Sequence, residues 1–192
     1  MKATLILALC AAFAAPVCAA EPTTALLIID IQDFYFPGGK MPLVEPEAAA
    51  RNAGKVLAAF RADGRPVVHV RHEFEPGGSI HASVAPVEGE KVFTKTEVSC
   101  FNGTEVLAHL KEIGVEKLVI VGMQTHMCLE AATRAAHDLG FECVVIADAC
   151  ATRDLTYGDR TVPAADVHAS TLATLNRTYA KVVDTEVFLS GE

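Results

Sequence analysis

A thiol, a carboxylate and an ammonium fall at three places in this chain where an apolar run gives way to a polar turn. Cys128 closes the run Val-Ile-Val-Gly-Met-Gln-Thr-His-Met-Cys, in which an apolar strand ends at Gly122, crosses a short turn and enters a helix. The free amides and partial positive charge of a helix's first turn stabilise a thiolate, the reactive form of cysteine. Asp30 follows Leu-Leu-Ile-Ile, so its carboxylate emerges from an apolar strand partly desolvated. Desolvation raises a carboxylate pKa and makes it a better proton acceptor near neutrality. Lys95 follows Val-Phe-Thr at the end of another strand, where a cation would lower the thiol pKa and offset the cost of burying Asp30. Singly, the three also read as a small buried hydrophobe, a turn cap and a solvated side chain. Together they make a nucleophile, a base and a cationic orienter, the parts of an activated nucleophile.

The elements that must position them alternate. Ala25–Ile29, Pro66–Val70, Val92–Thr94, Lys117–Val121, Cys143–Ala147 and Lys181–Val183 read as strands. Between them, Glu47–Asp63, Met127–Leu139 and Ala164–Leu175 carry apolar residues at helical spacing, and Asn102-Gly-Thr-Glu105 reads as a capping box opening a helix that ends at Gly114. Asn102 and Asn176 also fit the glycosylation pattern, but capping accounts for the first. Strands joined by crossover helices predict an α/β fold with a parallel sheet covered on both faces. Ligands of such sheets bind at the carboxyl ends of the strands, where the strand order reverses. That is where Asp30, Lys95 and Cys128 fall.

Composition narrows the setting. Met-Lys, an apolar stretch from residue 3 to 17 and Cys18-Ala19-Ala20 ahead of Glu21 read as a Sec-type signal peptide over residues 1–20. Neither Cys10 nor Cys18 follows a lipobox, which predicts a single released domain over residues 21–192, periplasmic or secreted. No later segment is long enough to cross a membrane, and 51% hydrophobic residues support a buried sheet. A formal net charge of −8 without any basic cluster argues against nucleic acid and for a small-molecule substrate. Beyond the leader four cysteines remain, Cys100, Cys128, Cys143 and Cys150. An even count in an oxidising compartment suggests disulfides, whereas a catalytic thiol must stay free, and the spacing matches no metal pattern.

Ile-Ile-Asp30-Ile-Gln32, Phe-Thr-Lys95, Val-Gly122-Met-Gln-Thr-His-Met-Cys128 with Thr133 and Ala136, and the strand Val144–Asp148 together resemble the isochorismatase-like cysteine hydrolase family. The likeness spans nearly the whole domain. It implies a three-layer α/β/α fold around a mostly parallel sheet of about six strands, with Asp30, Lys95 and Cys128 as the catalytic triad. It further implies a cis peptide between Met123 and Gln124, aiming the Gln124 and Cys128 amides at a developing oxyanion. Homo-oligomers are frequent in the family, so a homo-oligomer is expected here.

The nicotinamidase branch holds a metal with an Asp-x-His pair after the first strand. Residues 34–48 contain neither Asp nor His, so no metal and no cofactor is expected. His69, His72 and His81 cluster near the second strand without an evident partner carboxylate. Family members that cleave the vinyl ether of isochorismate need no cysteine nucleophile, so Cys128 favours cleavage of an amide or related C–N bond. Phe34, Tyr35, Phe36, Phe101 and His126 are the substrate-pocket candidates, while His168 and Tyr157 read as cap or interface residues. A redox-active thiol protein is the alternative of a different class; it would need a resolving cysteine, for which Cys100 and Cys150 are the candidates.

Overall fold

A computed structural model describes residues 23–191, so the expected leader lies outside the described residues. The chain runs β1 (Thr24–Ile29), α1 (Pro46–Ala62), β2 (Val67–His72), β3 (Lys91–Lys95), α2 (Val106–Glu112), β4 (Lys117–Met123), a π-helical turn (Thr125–Leu129), α3 (Glu130–Asp138) and β5 (Glu142–Ala151). It continues through β6 (Leu155–Tyr157), β7 (Arg160–Val162), α4 (Ala164–Leu175), β8 (Lys181–Val183) and α5 (Thr185–Ser190). Six strands pair in the order β3-β2-β1-β4-β5-β8, every pair parallel, while β6 and β7 form a separate antiparallel hairpin.

The alternation within β1 explains the three layers. Leu26 and Ile28 enter one core with Ala49, Ala53, Val56, Leu57 and Phe60 of α1, against which Phe188 of α5 also packs. Ala25, Leu27 and Ile29 point the other way, into a core with Val106 and Leu110 of α2, Leu129 ahead of α3, Ala132 and Ala136 of α3, and Leu175 of α4. A strand buried on both faces must read as the continuous apolar run seen here, and each large aliphatic side chain so buried contributes roughly 1.5–3 kcal/mol. The sheet grows outward from β1 through β2 to β3, then the chain returns to lay β4 on β1's other side. That reversal opens a crevice at the carboxyl ends of β1 and β4.

Two local expectations are corrected. Asn102-Gly-Thr-Glu105 is not a capping box: α2 begins at Val106 and no side chain of Glu105 caps it. Thr104 takes that role instead, its hydroxyl accepting from the Val106 amide at 3.3 Å while donating to the Cys100 carbonyl. The helix expected from Met127 begins instead as the π-helical turn, with regular α-helix only from Glu130. Four sheet strands run past their expected carboxyl ends: β2 to His72, β3 to Lys95, β4 to Met123 and β5 to Ala151. Among the described residues no helix is long and apolar enough to cross a membrane.

Candidate active site

Asp30, Lys95 and Cys128 converge in the crevice. Asp30 is the first residue past β1; its amide is held by the Val70 carbonyl at 2.9 Å and its backbone turns into the left-handed region at φ 51°. That conformation is uncommon outside glycine, though aspartate tolerates it better than most residues. Lys95 comes from two strands away. Its Cα is the register partner of His72, and its side chain reaches back across β2 so that Nζ lies 2.7 Å from Asp30 Oδ2, 2.9 Å from His72 Nδ1 and 3.3 Å from Cys128 Sγ. Asp30, Lys95 and Cys128 are 0%, 1% and 6% exposed, so these charges interact with little solvent screening.

Burial sets the electrostatics. It raises the Asp30 carboxyl above its ordinary range, with the neighbouring Lys95 ammonium pulling the other way. The Cys128 thiol is pushed up to about 12, first by burial and then by the Asp30 charge, against the pull of Lys95. Burial therefore opposes the thiolate that a helix N-terminus favours. The cysteine lies inside a tight turn beside a carboxylate, and desolvation outweighs the turn's partial charge. The buried thiol and a carboxylate of raised proton affinity thus lie side by side. Lys95 and Cys128 are the side-chain neighbours that hydrogen-bond the Asp30 carboxylate, Lys95 Nζ lying 2.7 Å from Oδ2.

Close backbone packing delivers the thiol to this point. Gly122 pairs with Ile29 across β4 and β1 at φ 142°, and a Cβ there would lie 2.0 Å from the Ile29 carbonyl oxygen, so no other residue fits. The following Met123–Gln124 peptide is cis. Gln124, 3% exposed, spans two neighbours: its Nε2 donates to Tyr35 Oη at 3.3 Å and its Oε1 accepts from Arg153 Nε at 3.0 Å. Beyond it, Thr125 Oγ1 meets His168 Nδ1 at 2.9 Å and His126 Nδ1 meets Thr152 Oγ1 at 2.6 Å, tying the turn to α4 and to the end of β5.

The remaining candidates divide. Tyr35 reaches the site through Gln124, whereas Phe34 is buried between the rings of Tyr35 and Phe74, and Phe36 stacks on His81 at 3.7 Å. Phe101 is half-buried and stacks towards Phe141. His126 is half-buried beside Cys128, its ring held neutral more firmly than usual by burial and by Arg153. The three histidines near β2 do not converge: His69 bonds Glu90 and His81 bonds Ser83, leaving only His72 in the crevice. Among the described residues, Asp30, His72 and Cys128 are the one His, Cys, Asp or Glu group close enough to share a cation, their donor atoms within 4.8 Å of one another. The Lys95 ammonium already contacts all three. Cys100, Cys128, Cys143 and Cys150 are all free thiols. Exposed Tyr157 lies on the β6–β7 hairpin, and a cavity of about 330 Å³ lined by Asn52, Asp148, Thr152 and His168 opens beside the turn rather than over the thiol.

Sequence reasoning missed three contributors. Gln32 is fully buried and clamps His72 from both sides, donating to its carbonyl at 2.9 Å and accepting from its amide at 2.7 Å; its other bond goes to the Gly78 carbonyl. His72 and Arg153 were invisible as partners of Lys95 and Gln124, because only the strand order brings those pairs together.

Comparison with known proteins shows the family and the fold. The model of the isochorismatase domain matches residues 24–187. An uncharacterised isochorismatase family protein of Bacillus subtilis, YddQ, is 48% identical over 178 residues, covering 87% of this chain and 99% of its own. A maleamate amidohydrolase of Pseudomonas putida is 28% identical over 83% of this chain and 82% of its own length. A crystal structure of a candidate isochorismatase hydrolase from Oleispira antarctica superposes with a TM-score of 0.85 at 49% identity, covering 89% of this chain and 98% of that one.

Proposed function

The chain belongs to the isochorismatase family of hydrolases, and from that premise we propose that it cleaves a small amide or related C–N bond with Cys128 as nucleophile, Asp30 as base and Lys95 as the cation between them. The observation that carries this reading is the Lys95 ammonium, 2.7 Å from the carboxylate and 3.3 Å from the sulfur, in a crevice that keeps all three out of water. The relative named as an amidohydrolase supports the amide class.

The steps follow from the proton affinities. As Sγ bonds to the substrate carbonyl carbon, the thiol proton passes to Asp30, whose burial favours the neutral acid it becomes. Lys95 holds the sulfur and carboxyl oxygen in register and balances the charge that moves between them. The carbonyl oxygen turns anionic against the Gln124 and Cys128 amides. Collapse breaks the C–N bond, Asp30 returns its proton to the departing nitrogen, and a thioester remains on Cys128. Water then adds to the thioester carbonyl and gives a proton to Asp30; the acid product leaves and the thiol is restored. No step calls for a metal or cofactor.

Supporting this over a redox role, Cys100 and Cys150, the resolving candidates, are buried, and the Lys95 ammonium sits at 3.3 Å from Cys128 Sγ rather than beside either of them. Export remains part of the proposal through the leader at residues 1–20, so the substrate is one met outside the cytoplasm. The test is turnover of an amide panel followed by release of ammonia or amine. Wild type hydrolyses at least one member, and Cys128→Ala loses that activity by about 10³-fold or more while keeping its melting temperature. Undiminished hydrolysis by Cys128→Ala would overturn the proposal.

A further inference from the structure

Resting on the triad proposed above, we infer that Gln32 is a further positioning residue of the site. Its carboxamide stands in for the missing end of β1, fixes His72, and through His72 holds the Lys95 ammonium between Asp30 and Cys128. The need arises at Asp30. Pairing of β1 with β2 ends at Ile29 opposite Val70, with one more bond from the Asp30 amide to the Val70 carbonyl, and there the chain turns away at φ 51°. A parallel ladder that continued would give the His72 amide and carbonyl their partners on the β1 backbone. The turn that carries the Asp30 carboxylate to Lys95 takes those partners away. Two backbone groups at an inner strand edge are then left to be satisfied by something else.

Gln32 satisfies them with its side chain. Oε1 accepts from the His72 amide at 2.7 Å and Nε2 donates to the His72 carbonyl at 2.9 Å, the pattern of a peptide group on a neighbouring strand. The second N–H of Nε2 goes to the Gly78 carbonyl at 2.7 Å, so a fully buried carboxamide uses both of its donors and its acceptor. The opposite amide orientation would set oxygen against two carbonyls and N–H against N–H. The consequence falls on Lys95, the register partner of His72, whose Nζ lies 2.9 Å from His72 Nδ1. An ammonium has three N–H groups, and here it has three neighbours: the imidazole, Asp30 Oδ2 and Cys128 Sγ. In the proposed reaction the carboxylate and the sulfur both change charge. The neutral imidazole is the one tether that stays the same throughout, and Gln32 fixes the backbone that carries it.

A double-mutant cycle on thiol reactivity tests this without a substrate. Full-length wild type, Gln32→Met, His72→Ala and the double variant are treated with iodoacetamide at one fixed pH. Carboxamidomethylation of Cys128 is followed by peptide mass. Lys95 favours the thiolate, the form that is alkylated, so a displaced ammonium slows the reaction. Each single variant is expected to react about tenfold more slowly than wild type, and the double variant also about tenfold more slowly, because both substitutions release the same tether. Gln32→Glu keeps the acceptor for the His72 amide and loses both donors, and it takes the place of Gln32→Met in the cycle if thermal melts show the latter unfolded. A folded Gln32 variant that reacts at the wild-type rate, or one whose effect multiplies with that of His72→Ala, would overturn the inference. Neither result touches Cys128-dependent turnover of the amide panel, so this inference and the hydrolase reading fail separately.

Discussion

His69 meets Glu90 on the same pair of neighbouring strands that brings His72 to Lys95, yet the carboxylates of the two clusters are driven in opposite directions. Glu90, just ahead of β3, accepts from Arg61 Nε at 2.7 Å, Arg61 Nη2 at 2.8 Å and the Val87 amide at 3.0 Å, and meets His69 Nε2 at 2.8 Å. Although burial acts against it, these partners hold its carboxyl down at about 2. Asp30 sits deeper, with the Lys95 ammonium and the Cys128 thiol as its side-chain partners, and burial outweighs them so that its carboxyl is raised. The first cluster is saturated and its charge is fixed, as suits a brace between α1 and the sheet edge. The second has fewer donors, and in the proposed mechanism its proton moves. What separates a structural carboxylate from a chemical one here is the number of donors supplied, not the strands that carry it.

The largest expected effect comes from removing the mobile charge. Asp30→Asn cannot accept the thiol proton and should lose about 10³-fold or more in kcat. It also strands the buried Lys95 ammonium, for which a loss of roughly 3–5 kcal/mol in unfolding free energy is expected by denaturant titration. The double variant Asp30→Asn/Lys95→Met should recover most of that stability and none of the activity. Recovery of turnover in the double variant would contradict the assigned role of Asp30.

A smaller effect is expected at His72, a positioning residue that accepts from Lys95 through Nδ1. His72→Ala should lower kcat by about 10- to 100-fold with little change in KM, and His72→Asn, whose amide oxygen can still accept, should restore much of it. The pH dependence has a definite sign. His72's pKa is lowered first by burial and then by Lys95, so its protonation at acid pH would set a second cation against Lys95. Glu73, Glu97 and Asp30 also face His72 and act the other way. The wild-type acid limb of kcat should therefore fall more steeply than that of His72→Asn. Identical limbs would remove His72 from the account.

The smallest effect on chemistry, and a clear one on stability, belongs to Glu90. Glu90→Gln should keep kcat within about twofold while losing roughly 1–3 kcal/mol of stability at neutral pH. Because the folded carboxyl is held at about 2, below its ordinary 4.5, the stabilisation is present above that ordinary value and is lost as pH falls towards 2. The gap between wild type and Glu90→Gln in thermal melts should close over that interval.

Much of this was legible in the chain. Asp30 and Cys128 announce themselves because each follows a strand buried on both faces, which leaves only its end for a polar side chain, and Lys95 because it closes the edge strand β3, where it alone is buried. The alternation of elements was enough for the layers and the parallel sheet. The thiol's proton affinity was not legible. A helix N-terminus argued for a lowered value, but the depth of Cys128 and its closeness to Asp30 depend on the register of β1 against β4. The pairs His72 with Lys95 and Gln124 with Arg153 needed the strand order for the same reason. The β6–β7 hairpin and α5 are too short to carry a period. Phe34 reads as a pocket wall in sequence, and its tight packing between Tyr35 and Phe74 is fixed only by the fold.

The central claim is that the thiol of Cys128 attacks while Asp30 takes its proton, leaving a thioester on the enzyme. Rapid acid quench of wild type mixed with a turned-over amide, followed by intact and peptide mass measurement, tests it most directly. The account predicts a transient mass gain equal to the acyl portion, confined to the peptide bearing Cys128 and absent from Cys128→Ala. Sustained hydrolysis under saturating substrate with no acyl adduct at any quench time, in an enzyme whose Cys128→Ala variant also turns over, would contradict it.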